Sequence, residues 1–297
     1  MIVAVASGKG GTGKTTVAAA LARVWTGPRI AVDMDVEAPN LHLFLRPDVT
    51  SEIEASVEVP VANPDLCDGC GACAKICAFK AIAVFGAFPM VFPEMCHGCG
   101  GCLAVCSRGA LSAGQRVLGT VSRGMADGGI DFLMGRLRIG EAMSPPLMRV
   151  VRHHLGAMRA ERPADVLIDA PPGTSCPAIE AVRDADVVVL VTEPTPFGLY
   201  DLDLAFRAFR DLGDTGKPMA VVINRSGRDD HGVHTFCREH ELPILDSIPF
   251  ERAIAEGYAR GVPLDAVNPA HAARMRELAR RVRAFARSGK MEVSVDA

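Results

Sequence analysis

A glycine-rich octapeptide, Gly8-Lys9-Gly10-Gly11-Thr12-Gly13-Lys14-Thr15, follows directly on the apolar run Ile2–Ala6 and leads into a helix-compatible stretch, residues 15–24. It satisfies the G-x₄-GK[ST] phosphate-loop pattern in the strand-to-helix setting that pattern requires. Glycines let backbone N–H groups approach phosphate oxygens, and the helix N-terminus adds partial positive charge. Lys14 then reaches the β- and γ-oxygens, and Thr15 supplies a hydroxyl for Mg²⁺. Residues 164–169, 186–191 and 219–223 are further short apolar runs, the last two containing continuous β-branched stretches, as strands buried on both faces of a parallel sheet require. The expected fold class is α/β, a mostly parallel P-loop NTPase sheet flanked by helices.

With 297 residues the chain exceeds one average domain. Its 49% hydrophobic and 23% charged residues exclude disorder as the main state. Lys and Arg number 32 against 35 Asp and Glu, so nothing marks nucleic acid as a partner. No apolar run approaches the ~18 residues of a membrane span. No basic leader precedes the first strand, and the chain reads as cytoplasmic. In a reducing compartment, ten cysteines point to metal or redox chemistry rather than disulfides.

Eight of the ten form a repeat: Cys67, Cys70, Cys73 and Cys77, then Cys96, Cys99, Cys102 and Cys106, with the second run offset by 29 residues. The flanks repeat as well, since Ala81-Ile82 follows the first run as Ala110-Leu111 follows the second. Two copies of one half-domain are implied. Zinc favours two C-x₂-C pairs a dozen or more residues apart, whereas here three cysteines crowd into seven positions, twice. The spacing resembles bacterial two-cluster ferredoxins, in which the fourth cysteine of each run serves the other cluster. That resemblance assigns Cys67, Cys70, Cys73 and Cys106 to one [4Fe–4S] cluster and Cys77, Cys96, Cys99 and Cys102 to a second. The usual proline after the fourth cysteine is replaced by Ala78 and Ser107. Residues 81–92 read as short apolar strands around a turn, shielding the clusters from water.

The additional Lys9 resembles the deviant Walker A loop of the MinD/Mrp/nitrogenase iron protein class of ATPases. Other segments agree in order: Arg29-Ile30-Ala31-Val32-Asp33 as strand two, Asp33-Met34-Asp35 opening a first switch, and Asp169-Ala170-Pro171-Pro172-Gly173-Thr174 as an Mrp-type second switch. The resemblance implies catalytic roles for Lys9, Lys14, Asp35 and Asp169. Lys9 would reach across a homodimer to the partner's nucleotide, and Asp35 would orient the attacking water. Mg²⁺ would be held near Thr15, Asp33 and Asp169. Gly8 through Thr16 (Gly8, Lys9, Gly10, Gly11, Thr12, Gly13, Lys14, Thr15, Thr16) would hold ATP or ADP, with Asn224, Arg225 and Pro249 at the base. Taken singly, an Asp at a strand end is often only a turn former or a cap.

The domain organisation that follows is a split ATPase domain, residues 1–60 and 112–297, carrying a small α+β ferredoxin-like insertion at 61–111 between the two switches. The leading functional expectation is an Mg²⁺-dependent ATPase. Nucleotide state of its homodimer gates electron transfer through two [4Fe–4S] clusters to a redox partner protein, a paralogous ATPase being one such acceptor. Alternatives are an Mrp-type carrier handing clusters to an accepting protein, and a MinD/ParA-type positioning ATPase with a redox-sensing ferredoxin module. A tethered ferredoxin without coupling is the plainest reading of the same segments.

Four features read as structural or ambiguous. Cys176, seven residues past Asp169, is similar in place to a cluster ligand of the nitrogenase iron protein, against a buried small thiol; Cys237 sits in a helical stretch at 229–240. Ser144-Pro145-Pro146 reads as a helix start capped by Ser144, with Leu147, Val150, Val151, Leu155 and Met158 as its apolar face. Adjacent His153 and His154 do not share a face for a metal. In residues 272–288, Met275, Leu278, Val282 and Phe285 make one apolar face and six arginines lie elsewhere. That pattern suits packing on the sheet better than a membrane surface.

Overall fold

The β-branched runs become the middle of a nine-stranded sheet in the computed structural model, which describes residues 1–86, 88–212, 216–227 and 230–288. The first half of the chain supplies β1 (Ile2–Ala6), β2 (Arg29–Asp33), β3 (Asp48–Ala62), β4 (Ile82–Phe85), β5 (Phe88–Val91), β6 (Leu111–Ala126) and β7 (Ile130–Leu137). The second half adds β8 (Asp165–Asp169), β9 (Val187–Thr192), β10 (Met219–Ser226) and β11 (Ile244–Pro249). Helices are α1 (Lys14–Val24), α2 (Leu41–Leu45), α3 (Ala72–Ile76), α4 (Gly101–Ala104), α5 (Ser144–Glu161), α6 (Cys176–Val182), α7 (Pro196–Arg210), α8 (His231–Glu239), α9 (Arg252–Ala259) and α10 (Pro269–Ser288).

Strand order is β11-β10-β9-β1-β8-β2-β7-β6-β3, parallel from β11 through β7 and antiparallel for the last two. Side chains alternate between two cores. Val187, Val189 and Val191 of β9 pack with α1 and α10, while Val188 and Leu190 pack with α5, α6 and α7. Each such fully buried Val or Leu contributes about 1.5–3 kcal/mol, which is why these strands carry no polar face. In α10, Met275, Leu278, Val282 and Phe285 are buried in the α1 core, so its apolar stripe is occupied within the chain. No helix among the described residues is long and apolar enough to cross a membrane.

The long pair β3 and β6 is absent from the sequence expectation. Polar residues alternate with apolar ones along β3 (Glu52, Glu54, Glu58), so it lacks the continuous apolar runs that mark the buried strands. The pair runs from Asp48↔Met125 to Ala62↔Leu111, and residues 63–110 project from its end. There β4 and β5 form a separate antiparallel hairpin. Ile82, Val84, Pro89 and Val91 share its inner face, but Phe85, Phe88 and Met90 are exposed. Only half of the expected shield therefore covers the cysteines.

Two further expectations are corrected. Ser144 is the first residue of α5 rather than its cap, because its hydroxyl donates to Glu37 Oε1 (2.8 Å). Cys176 is exposed at the start of α6, not a buried thiol, while Cys237 is buried in α8. Residue 229 of the expected helical stretch lies outside the described residues.

Candidate functional site

Because β8 inserts between β1 and β2, the loops following all three leave the sheet side by side at the carboxyl ends, where open α/β sheets place ligands. Register puts Val5, Asp169 and Asp33 level with one another. Gly13 stands at the N-cap of α1 with φ +92° and offers no side-chain acceptor, and no acidic residue occupies the first turn. The first amides of the helix are thus left for an anion. A Cβ on Gly13 would lie 2.2 Å from Asn224 Nδ2, and that amide donates to the Thr12 carbonyl oxygen (2.7 Å).

Lys14 Nζ lies 3.6 Å from Asp169 Oδ1, and the Thr15 hydroxyl donates to Asp169 Oδ2 (2.6 Å). Asp169 is fully buried, and among the described residues its Oδ1 has no hydrogen-bond partner. Burial raises the Asp169 pKa against the pull of Lys14 and Thr15. Asp33 is also fully buried, and burial followed by the Asp169 charge pushes it well above the usual carboxylate range. Its oxygens accept the amides of Asp35 (3.0 Å), Asn40 (2.9 Å) and Leu41 (2.9 Å). In this conformation Asp33 ties the loop of residues 34–41 back onto the end of β2. Met34 N donates to the Asp169 carbonyl oxygen (2.9 Å), joining that loop to β8.

One cavity collects most of the residues expected to bind nucleotide: Gly10, Gly11, Gly13, Lys14, Thr15, Thr16, Asp35, Asn224, Arg225 and Pro249 line it. Gly8, Lys9, Thr12, Asp33 and Asp169 do not line it. Lys9 is turned away, its ammonium 2.6 Å from Glu193 Oε1 and 3.9 Å from Asp201. Arg225 donates to Glu193 Oε2 (2.8 Å) and to the Gly11 carbonyl oxygen (3.1 Å). Burial alone would raise Glu193, but Lys9 and Arg225 hold it below the usual carboxylate range. Asn40, Pro172, Phe250, Glu251, Ile254, Ala255 and Tyr258 also line the cavity. Of these, Phe250, Glu251 and Ile254 fall in the run 248–254, whose sequence resembles the base-lining loop of that ATPase class, and Asn40 and Pro172 fall in the two expected switch segments; Ala255 and Tyr258 carried no sequence signal.

The eight repeat cysteines fall around two separate cavities. Cys67, Cys70, Cys73 and Cys106 line one, with Val84 and Pro89 of the hairpin. Cys77, Cys96, Cys99 and Cys102 line the other, against Glu58 and Pro60 of β3. Amides of Gly69, Gly98 and Ala81 donate to the sulfurs of Cys67 (3.4 Å), Cys96 (3.4 Å) and Cys77 (3.3 Å). Burial raises the thiol pKa of Cys73 and Cys102. Among the described residues no three His, Cys, Asp or Glu side chains converge on a single metal ion. His153 and His154 stand edge to face on α5 with ring centres 6.0 Å apart.

The family model for the CobQ/CobB/MinD/ParA nucleotide binding domain matches residues 3–264. Uncharacterized protein MJ0578 of Methanocaldococcus jannaschii is 31% identical over 290 residues, covering 96% of this chain and 97% of that protein. Among solved structures, the Pyrococcus furiosus cell division ATPase MinD superposes with a TM-score of 0.55 at 22% identity, over 96% of this chain and 98% of that one. The septum site-determining protein MinD of Pyrococcus horikoshii, complexed with Mg-ADP, gives 0.54 at 20% identity, over 95% of both chains. At these identities the two structural likenesses show the fold.

Proposed function

This chain belongs to the CobQ/CobB/MinD/ParA nucleotide-binding domain family, and from that premise we propose that it is an Mg²⁺-dependent ATPase working as a nucleotide-switched homodimer, with a redox-responsive cluster-binding lobe. The observation that carries the nucleotide part is the meeting of Lys14, Thr15 and the orphaned Asp169 Oδ1 behind the phosphate loop. Two hard oxygen donors beside a lysine suit Mg²⁺ and a nucleotide phosphate. When bound, Mg²⁺ would neutralise charge on the phosphates. The chain's own part is positional: Lys14 faces the phosphate side, Asp35 lines the cavity where a water would be oriented, and Asn224, Arg225 and Pro249 border the base end. The Mg-ADP complex of the Pyrococcus horikoshii protein supports the same ligand here. Lys9, held by Glu193 in the single chain, is the side chain available to reach a second copy.

The insertion, residues 61–111 between ATPase segments 1–60 and 112–297, is proposed to hold two [4Fe–4S] clusters. Each cavity is bordered by three thiols of one run and the fourth of the other, with amides aimed at sulfur. Zinc would draw four thiolates to within ~3.8 Å of one another, given Zn–S bonds of ~2.3 Å; a multinuclear cluster would space them more widely around each cavity. The clusters would supply one-electron redox chemistry. The proposed location is the cytoplasm, whose reducing conditions keep thiols free.

The family and its MinD and ParA members support a positioning-type switch more directly than electron delivery. One observation favours electron delivery to a protein acceptor as the second reading: the exposed Phe85, Phe88 and Met90 form an apolar face beside the first cysteine cavity. Cluster transfer of the Mrp kind is disfavoured by closure of each cavity with thiols from both runs. The test combines anaerobic iron analysis with ATPase assays. About eight iron atoms per chain are expected, with Lys14→Ala and Asp169→Asn lowering the rate about 100-fold. Iron near zero, or hydrolysis indifferent to both substitutions, overturns the corresponding half.

A further inference from the structure

The two cysteine cavities are joined to the nucleotide body unequally. The loop Cys96-His97-Gly98-Cys99 is held from the ATPase side. Arg149 of α5 donates to the His97 carbonyl oxygen (3.2 Å). A Cβ on Gly98, whose φ is +66°, would lie 2.2 Å from Val57 Cγ2 on β3, so loop and strand are in closest approach there. The corresponding loop Cys67-Asp68-Gly69-Cys70 is bonded inward. Asp68 accepts Arg108 Nε (2.7 Å) and the Cys70 amide (3.1 Å), both partners belonging to the projecting segment. Among the described residues no hydrogen bond or ion pair joins residues 67–70 to α5 or to the first switch.

The same helix grips the first switch at its N-terminus, five residues before Arg149. Ser144 donates to Glu37 (2.8 Å), and Leu137, at the end of β7, donates its amide to the Val36 carbonyl oxygen (2.8 Å). Val36 is buried in one core with Leu147 and Val151 of α5. Immediately before it, Asp35 lines the nucleotide cavity, and its amide is held by Asp33. Ser144 and Arg149 are five residues apart on one continuous helix, about 7.5 Å along its axis. A helix start that follows the switch therefore moves the donor that holds the second cysteine loop, since packed elements shift as bodies rather than deform.

We propose that α5 is the mechanical link through which nucleotide occupancy acts on the cavity lined by Cys77, Cys96, Cys99 and Cys102, leaving the Cys67, Cys70, Cys73 and Cys106 cavity outside that control. The link rests on the nucleotide-switch half of the proposed function and not on the cluster half. Arg149 is a positioning residue. It is exposed, so its replacement leaves the core intact.

Hydrogen exchange with mass spectrometry on the full chain, prepared anaerobically and compared without nucleotide, with MgADP and with a non-hydrolysable MgATP analogue, tests it. Exchange in residues 35–41 and in 96–100 is expected to change by on the order of fivefold or more with nucleotide, while 67–71 stays constant. Arg149→Met is expected to abolish the response at 96–100 and keep it at 35–41, and Arg149→Lys, which retains a donor, to restore it. An equal response in both cysteine loops, or a response at 96–100 that survives Arg149→Met, overturns the link. Silence at 35–41 overturns the nucleotide switch itself and the link with it. Iron analysis of the same samples reports separately on the clusters.

Discussion

Replacing Glu193 by Gln is expected to tighten ATP-dependent dimerisation. In the single chain Lys9 is held by Glu193 at 2.6 Å, with Lys9 29% and Glu193 12% exposed. A hydrogen bond to a charged group contributes about 1.5–3 kcal/mol when well buried. Discounted for the solvent around Lys9, about 1 kcal/mol is reasonable. If Lys9 must leave Glu193 to reach the partner's nucleotide, that cost is met once in each protomer, about 2 kcal/mol per dimer, or roughly 30-fold in the association constant. Glutamine removes the charge yet still accepts from Arg225, so the bond on the base side of the loop is kept. Sedimentation equilibrium with a non-hydrolysable MgATP analogue reads the difference, with Lys9→Ala as the control that should not dimerise in either background. Unchanged or weaker association of Glu193→Gln, or nucleotide-dependent dimers of Lys9→Ala, would refute the reasoning.

Other consequences are equally direct. Gly13→Ala puts a side chain at φ +92° and onto Asn224; strain of about 1–2 kcal/mol plus a displaced hydrogen bond of about 1 kcal/mol should weaken nucleotide binding roughly 30- to 100-fold. Wild-type affinity in a fluorescent-nucleotide titration counts against the loop assignment. Phe285→Ala should cost about 3–4 kcal/mol in denaturant unfolding, because Phe285 is buried against the α1 core; a loss under about 0.5 kcal/mol would mean that α10 is not docked. Burial pushes the Cys237 thiol from 9.0 up to about 12. The native state therefore keeps a proton that the unfolded chain releases. The stability this thiol contributes is full below pH 9 and is lost as pH rises toward 12, with a slope of up to about 1.4 kcal/mol per pH unit. Unfolding measured from pH 8 upward should show that slope in the wild type and a shallower one in Cys237→Ala.

The sequence was most readable where physics acts locally. A glycine loop between strand and helix, and β-branched runs buried on both faces, placed β1, β2, β8, β9 and β10 within a residue or a few of their observed bounds. The cysteine spacing grouped thiols that the fold brings around two cavities. What escaped depends on tertiary neighbours. The pair β3 and β6 alternates polar with apolar residues and is in large part exposed, so no continuous apolar run marks it. The amides that occupy Asp33 come from a loop whose path no periodicity records. Glu193 became visible only when β9 and the phosphate loop were adjacent in space, and the exposure of Cys176 follows from its place at the start of α6.

The most direct measurement of the central claim is a redox titration with EPR on anaerobically prepared protein without nucleotide, with MgADP and with a non-hydrolysable MgATP analogue. Two [4Fe–4S] signals are expected, with the potential of one shifting on nucleotide binding. Saturated nucleotide with both potentials unmoved would contradict a switch coupled to the cysteine lobe.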